Sequence, residues 1–389
     1  MKYDLVVIGA GIQGAGVAQA AAAAGYSVLV VEKTAPAAGT SSKSSKLIHG
    51  GLRYLESAQF GLVHESLHER ALLLRLAPEL VKLKPLHIPV YEDSTRSPLT
   101  IRAGLSLYAF LAGLTKDSLF RQLPKAQWSD LAGLRQDNLK AVFRYYEAQT
   151  DDAALTRSVL QSAVLLGADL MMPAQFISAE RNGQCCKVEI ETGNKHESVS
   201  CRVLVNCAGP WVQDVLAKVS PALPTPGIEL VQGSHLLLPP LLDQYFYLEA
   251  PSDKRAVFVL PWEGQLLVGT TEKVHQGLPE KAVCSNEERE YLLATLRHYF
   301  SDLAIPEGQV ETFAGLRVLP KSEKQAFSRP REVMFAVDDE AHPRVLSVMG
   351  GKLTTYRATA EQALQRLMPS LPTKERRADT ALVSLLPVH

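Results

Sequence analysis

Three things are scarce or missing in this chain of 389 residues, and each absence removes a class of function. No uninterrupted apolar run reaches the roughly 20 residues needed to cross a hydrocarbon core, so no transmembrane helix is expected. Neither sign of charge is in excess. The 41 basic residues meet 41 acidic ones, which leaves no bulk field to hold nucleic acid. Cysteine is sparse and irregular. Cys185, Cys186, Cys201, Cys207 and Cys284 have neither zinc spacing nor the even count of a disulfide framework. Free thiols in a reducing compartment, and no bound metal, are the expectation. Met1-Lys2 ahead of apolar residues has some features of a secretory leader. Asp4, however, stands where positive charge should continue, and glycines break the apolar core. A cytoplasmic location is the expectation. Apart from one alanine-rich stretch there are no repeats or low-complexity tracts, and the length suffices for two domains with full cores.

What is present begins at once. Asp4-Leu5-Val6-Val7-Ile8 is a short apolar, β-branched run that reads as a buried parallel strand. Gly9-Ala10-Gly11-Ile12-Gln13-Gly14 opens a helical stretch rich in alanine, Gly25-Tyr26 breaks it, and Ser27 to Val31 returns as a second strand ending in Glu32. Strand, G-x-G-x-x-G, helix, strand, acid is the dinucleotide-binding order. Gly9 serves the tight turn, Gly11 lets the backbone approach a pyrophosphate, and Gly14 allows close helix–strand packing. The helix N-terminus offers unpaired N–H groups and the positive end of a dipole to phosphates. Glu32 can accept a hydrogen bond from a ribose hydroxyl.

Glycines alone do not choose between nicotinamide and flavin, so the distant segments decide. Val203 to Asn206 is another buried strand running into the small-residue turn Cys207-Ala208-Gly209-Pro210-Trp211. Val345 to Met349 is a third, ending in Gly350-Gly351-Lys352 and followed by a helix pattern from Thr354 to Leu367. A helix N-terminus there would face the flavin end where negative charge appears on reduction. Between the fingerprint and these segments lies a run of hydroxyls, cations and glycines over 41–55, Ser-Ser-Lys-Ser-Ser-Lys-Leu-Ile-His-Gly-Gly-Leu-Arg-Tyr-Leu. Phosphate-binding chemistry at both ends of the sequence points to one cofactor clamped between them. No second fingerprint exists for a tightly held nicotinamide.

Taken together these segments resemble the FAD-dependent glycerol-3-phosphate dehydrogenases of the D-amino acid oxidase-like superfamily, from residue 3 to about 368. The pieces that carry the likeness are 44–55, Tyr145-Tyr146-Glu147-Ala148-Gln149-Thr150-Asp151-Asp152-Ala153, Gly233-Ser234-His235, Phe258 to Trp262, Gly269-Thr270-Thr271-Glu272, Gly315 to Pro320 and Gly350 to Arg357. The resemblance implies an α/β, Rossmann-like two-dinucleotide-binding-domain flavoprotein fold with a second, mainly antiparallel β substrate domain. It implies FAD as cofactor, contacted by Gly9, Gly11, Gly14 and Glu32, then by Thr40, Ser41, Ser45, Lys46, Leu47 and His49. Ala208, Gly209, Gly351, Lys352, Leu353 and Thr354 complete that set. The implied reaction is oxidation of sn-glycerol 3-phosphate to dihydroxyacetone phosphate, with quinone or oxygen as electron acceptor.

Such chemistry needs a base for the hydroxyl proton, a cation near the developing carbonyl oxygen and donors for a phosphate dianion. His49 and His235 are the candidate bases, and the resemblance implies Arg317 as the group at the substrate oxygen. Arg53, Tyr54, Thr271, Arg329 and Lys352 are the candidate substrate and phosphate contacts. Each has a plainer reading. His49 could simply fix a glycine loop, and His235 could be a hydrogen-bonded core histidine. Arg53 and Tyr54 could be an ordinary packed pair, and Lys352 a solvated helix-start lysine, although a cation there opposes the helix dipole.

The chain departs from the family pattern in three places. A short tail follows residue 368 where relatives usually carry a further helical domain, Ala154 stands where arginine is usual, and Glu272 where aspartate is common. Same-fold oxidation of a 2-hydroxy acid or amino acid, and a redox-idle FAD-binding protein, are the alternatives.

Domain organisation is expected to be discontinuous, with 1–85, 145–215 and 340–375 forming the FAD-binding part. Residues 86–144 and 216–339 would form the substrate part, and 376–389 a tail. Short strands at Ile228–Val231, His235–Leu238, Ala256–Leu260 and Gln265–Val268, separated by turn residues, are an antiparallel signal. Glu287 to Phe300 reads as an amphipathic helix. The segment 97–116 is too short to span a bilayer. It is either an interfacial helix, with Arg96, Arg102 and Lys116 near headgroups on the cytoplasmic face of the inner membrane, or a helix packed on its own domain.

Overall fold

A computed structural model describes residues 2–131, 133–225, 227–321 and 333–388. Two sheets organise them. The first has at its centre parallel strands Tyr3–Ile8, Val28–Val31, Asp169–Met171, Val345–Met349 and the C-terminal half of Lys195–Asn206. Leu5, Val6, Val7, Val203, Leu204 and Val205 are essentially inaccessible to solvent, as expected for strands covered on both faces. Helix Ile12–Ala23 runs back over one face against Asp152–Leu165 and Tyr356–Leu367. Its alanines make it apolar on every side, so eleven of its residues are buried, the pattern of a helix enclosed rather than amphipathic. A Cβ on Gly16 would lie 2.8 Å from the Tyr356 ring, which shows how tightly the helices are stacked.

The second sheet is mainly antiparallel and carries the roof over the first. Its long members are Val81–Tyr91, Leu139–Thr150, Ile228–Leu238 and Glu311–Pro320, with Tyr245–Glu249, Ala256–Trp262 and Gln265–Gly269 between. One contact, between Tyr245–Glu249 and Val81–Tyr91, is parallel. Helix Asn286–Tyr299 closes its outer face with Leu292, Leu296 and the adjoining Phe300 fully buried. A capping box from Ser285 and Glu288 starts that helix.

Several expectations change in detail. The two strands read at 228–231 and 235–238 are one, because Glu311–Pro320 supplies a continuous ladder from Ile228 to Leu237. The expected boundaries near 85 and 145 fall inside Val81–Tyr91 and Leu139–Thr150, strands of the second sheet. The tail from 376 onward is docked on the body of the protein. Arg377 N donates to the Ala23 carbonyl at 2.7 Å, Leu385 N to the Leu76 carbonyl at 2.7 Å, and Leu385 is 2 % exposed. No helix among the described residues is long and apolar enough to cross a membrane.

Candidate active site

A cavity of about 860 Å³ opens where the parallel strands end at their carboxyl edges, beneath the antiparallel roof. Ile8, Val31, Cys207 and Gly350, each at or just beyond the end of a different parallel strand, line it. That is where open α/β sheets place ligands. Gly9 turns with φ +99°, and a Cβ on it would fall 2.8 Å from the Cys207 carbonyl oxygen. Gly14 lies beneath this turn, where a Cβ would come within 1.9 Å of the Gly9 oxygen, so it permits packing and does not itself face the cavity. Gly11 precedes the helix without a side-chain cap, and Ser41 Oγ accepts from Ile12 N at 2.9 Å. Glu32 Oε2 accepts from Ala10 N at 2.8 Å and Oε1 from Thr34 N at 2.9 Å, which aims the carboxylate along the rim. These are the features a dinucleotide needs: close backbone approach, an open helix N-terminus and an acid at the second strand.

The distant segments converge on the same space. Thr40, Ser41, Ser45, Leu47, His49, Ala208, Gly209, Gly351, Lys352, Leu353 and Thr354 all line it. Thr354 Oγ1 accepts from His49 N at 3.1 Å, joining segments 305 residues apart. Thr40 Oγ1 donates to the Leu316 carbonyl at 2.7 Å, tying the hydroxyl run to the roof.

On the roof side, Arg317 lines the cavity with Nη2 donating to the Thr271 carbonyl at 2.9 Å and Nη1 3.9 Å from Glu272. Gly233 makes room for it, since a Cβ there would stand 2.4 Å from Nη2. On the same cavity, the Tyr54 ring has Lys352 Nζ at 4.1 Å and the Arg53 guanidinium at 5.1 Å from its centroid. Two cations around one aromatic ring, both on the cavity wall, form a basic pocket suited to a dianion. His49 is half-buried, its ring 6.2 Å from that of Phe258.

Three assignments change, and one falls outside view. Lys46 does not line the cavity: with φ +59° its chain turns inward, and Nζ reaches Asp152 Oδ1 at 2.6 Å and the Ser42 carbonyl at 2.8 Å. Thr271 also points away, donating to Glu288 Oε1 at 2.6 Å while accepting from Ser234 N. Its neighbour Thr270 lines the cavity instead. His235 lines the cavity but does not suit a base. Burial, followed by the charges of Arg317 and Lys46, lowers its pKa to about 3. Its Nε2 pairs with Ser45 Oγ at 2.8 Å, its ring stacks on Phe313 at 4.8 Å, and Nδ1 has no partner. A base works best with a pKa near the operating pH, so His235 is a neutral hydrogen-bonding group. Arg329 lies outside the described residues. Arg96, expected near headgroups, is held by Glu56 and Glu249.

Sequence reasoning passed over Lys43, Thr270, Tyr247 and Glu147, all on the cavity wall. Glu147 had a readable signal, as an acid sharing a strand face with Phe143 and Tyr145 at period two. Tyr247 had none.

Fold and site together define a flavin-type oxidoreductase, in which a dinucleotide fills the rim of the parallel sheet and a polar pocket faces its reactive end. A family model described as FAD dependent oxidoreductase matches residues 4–357, and the chain belongs to that family. It is 36 % identical over 379 residues to D-erythritol 1-phosphate dehydrogenase of Brucella abortus, covering 95 % of this chain and 74 % of that protein. It is 38 % identical over 382 residues to the aerobic glycerol-3-phosphate dehydrogenase of Escherichia coli, covering 94 % and 73 %. Among solved structures, the glycerol-3-phosphate dehydrogenase of Bacillus halodurans complexed with FAD superimposes with a TM-score of 0.77 at 27 % identity, over 99 % of this chain and 68 % of that one.

Proposed function

We propose that the protein oxidises sn-glycerol 3-phosphate to dihydroxyacetone phosphate and passes the electrons to quinone. The observation that carries this is the basic pocket of Arg53, Tyr54 and Lys352, which lines the same cavity as Arg317. FAD, when bound, supplies the hydride acceptor. The chain supplies the rest. Lys352 and Arg53 bind the phosphate, with the Tyr54 ring holding both cations at its faces. Arg317, steadied by the Thr271 carbonyl, donates to the substrate oxygen as carbonyl character develops. His49 Nε2 or Nδ1 takes the hydroxyl proton, the role His235 is too acidic to fill.

Substitution tests the phosphate pocket. In Lys352→Met and Arg53→Ala, kcat/KM for glycerol phosphate should fall about 10- to 100-fold, the loss of one charge-assisted contact. Lactate-like acids should be affected much less. Equal losses for both substrate types would favour a carboxylate clamp of Arg317 with Tyr54. The likeness to a D-erythritol 1-phosphate dehydrogenase favours assaying that longer phosphorylated alcohol in parallel.

Quinone use implies contact with a membrane surface. Helix Pro98–Leu111 supports this, because Leu105 and Tyr108 pack inward while Leu99, Phe110 and the following Leu114 are 76 %, 67 % and 59 % exposed. A peripheral site through 97–116 on the cytoplasmic face of the inner membrane is the reading. The protein should float with lipid vesicles and Phe110→Glu should not; equal recovery in the soluble fraction would count against it.

A further inference from the structure

Behind the His49–Tyr54 segment lies a buried polar network outside the proposed chemistry. Glu147 is 1 % exposed, Arg70 3 % and Tyr108 1 %. Arg70, on helix Phe60–Leu76, donates through Nη1 to Glu147 Oε2 at 2.6 Å and to the Tyr146 carbonyl at 2.7 Å. Tyr108, reaching in from helix Pro98–Leu111, donates its hydroxyl to Glu147 Oε1. The Tyr108 hydroxyl oxygen in turn accepts from the Gly50 N–H at 2.9 Å. Burial holds the Tyr108 phenol well above its ordinary pKa, so the hydroxyl keeps its proton and its direction of donation.

A buried ion pair adds little net stability over apolar packing of the same volume, which turns attention to what this one holds. It holds Gly50. A Cβ there would fall 2.4 Å from the Tyr108 hydroxyl and 2.7 Å from Leu67, so only glycine lets the main chain come this close. Immediately beyond, Gly51 turns with φ +76° into the short helix Leu52–Leu55 that presents Arg53 and Tyr54. Immediately before it stands His49.

We infer that Tyr108 is a positioning residue: its hydroxyl, oriented by Glu147 and Arg70, pins the Gly50 N–H and so fixes the backbone from which His49, Arg53 and Tyr54 reach the substrate. This rests on those three being the substrate-facing groups. The anchor is carried by an outer helix that contributes no residue of its own to the cavity lining.

Two readouts on the flavin-loaded protein separate the inference from the reading beneath it. Amide hydrogen exchange over residues 49–52 needs no substrate. In Tyr108→Phe, exchange at Gly50 should speed up about 10- to 100-fold. Leu105→Ala, a cavity on the same buried helix face, should leave it within about threefold. The rate of flavin reduction by sn-glycerol 3-phosphate should drop about tenfold or more in Tyr108→Phe, with Leu105→Ala close to wild type. Unchanged exchange in Tyr108→Phe, or equal acceleration in Leu105→Ala, overturns the inference. Wild-type protein that glycerol phosphate does not reduce overturns the substrate reading alone, because exchange still decides the anchor. Glu147→Gln keeps the hydroxyl and loosens what orients it. Faster Gly50 exchange is expected there too, and protection equal to wild type would also overturn the relay.

Discussion

Replacing Lys46 by methionine removes a charge at nearly constant shape, and the structure fixes what should follow. Asp152 is wholly buried, and Lys46 Nζ stands 2.6 Å from its Oδ1. The other carboxylate oxygen accepts from Ser44 N at 2.9 Å, so the pair folds the 42–46 loop around the start of helix Asp152–Leu165. Methionine would leave Asp152 with backbone donors and no cation. Breaking a buried pair from one side costs about 3–5 kcal/mol. Unfolding entropy near 2.1 cal/mol/K per residue gives about 0.8 kcal/mol/K for a chain this long, so the melting temperature should fall by about 4–6 °C. Lys46→Met/Asp152→Asn removes both charges and should recover more than half of that loss. Melting followed by circular dichroism, with flavin content measured on the folded fraction, is the assay. A single variant melting within about 1 °C of wild type, or a double variant less stable than the single, would refute the clamp. Loss of flavin with unchanged melting would return Lys46 to the cofactor.

Two further outcomes follow from buried groups. His235 has its pKa depressed from 6.5 to about 3, so the unfolded chain binds a proton that the folded one refuses. The stability it contributes is present above pH 6.5 and is lost as pH falls toward 3. The loss is about 2 kcal/mol between pH 7 and pH 5. Denaturant unfolding of His235→Gln at those two pH values should show a slope shallower by that amount, and parallel slopes would contradict the assignment. Glu288 accepts from Thr271 Oγ1, Ser234 Oγ, Gln232 Nε2 and Ser285. Glu288→Ala should destabilise by about 3–5 kcal/mol, from stranded donors and a lost cap. It should also lower kcat/KM through the Thr271 carbonyl that holds Arg317. A stable variant with normal activity would show that the network is dispensable.

The legible parts of this protein are the local ones. Strand, glycine turn, helix and acid over the first 32 residues are specified by neighbours in sequence. That part of the cavity edge, Gly9, Gly11 and Glu32, is therefore legible from one short segment. Gly233-Ser234 misled, because a small polar pair resembles a turn until a partner strand pairs across it. Thr270 and Thr271 are adjacent hydroxyls in sequence, and only the fold shows that Thr270 lines the cavity while Thr271 donates to Glu288. Lys46 sits in a run of phosphate-binding residue types, yet its partner is Asp152, 106 residues on. Tyr108 was hidden differently: in an apolar helix its hydroxyl looks incidental, and only the fold reveals Gly50 beside it.

The central claim is that this cavity oxidises a small phosphorylated alcohol, and anaerobic titration of the flavin-loaded protein tests it most directly. Addition of sn-glycerol 3-phosphate should bleach the visible band of oxidised flavin, while glycerol, lactate and amino acids leave it unchanged. A flavin that stays yellow with glycerol phosphate and bleaches with a carboxylate substrate, or with none of them, would contradict the account.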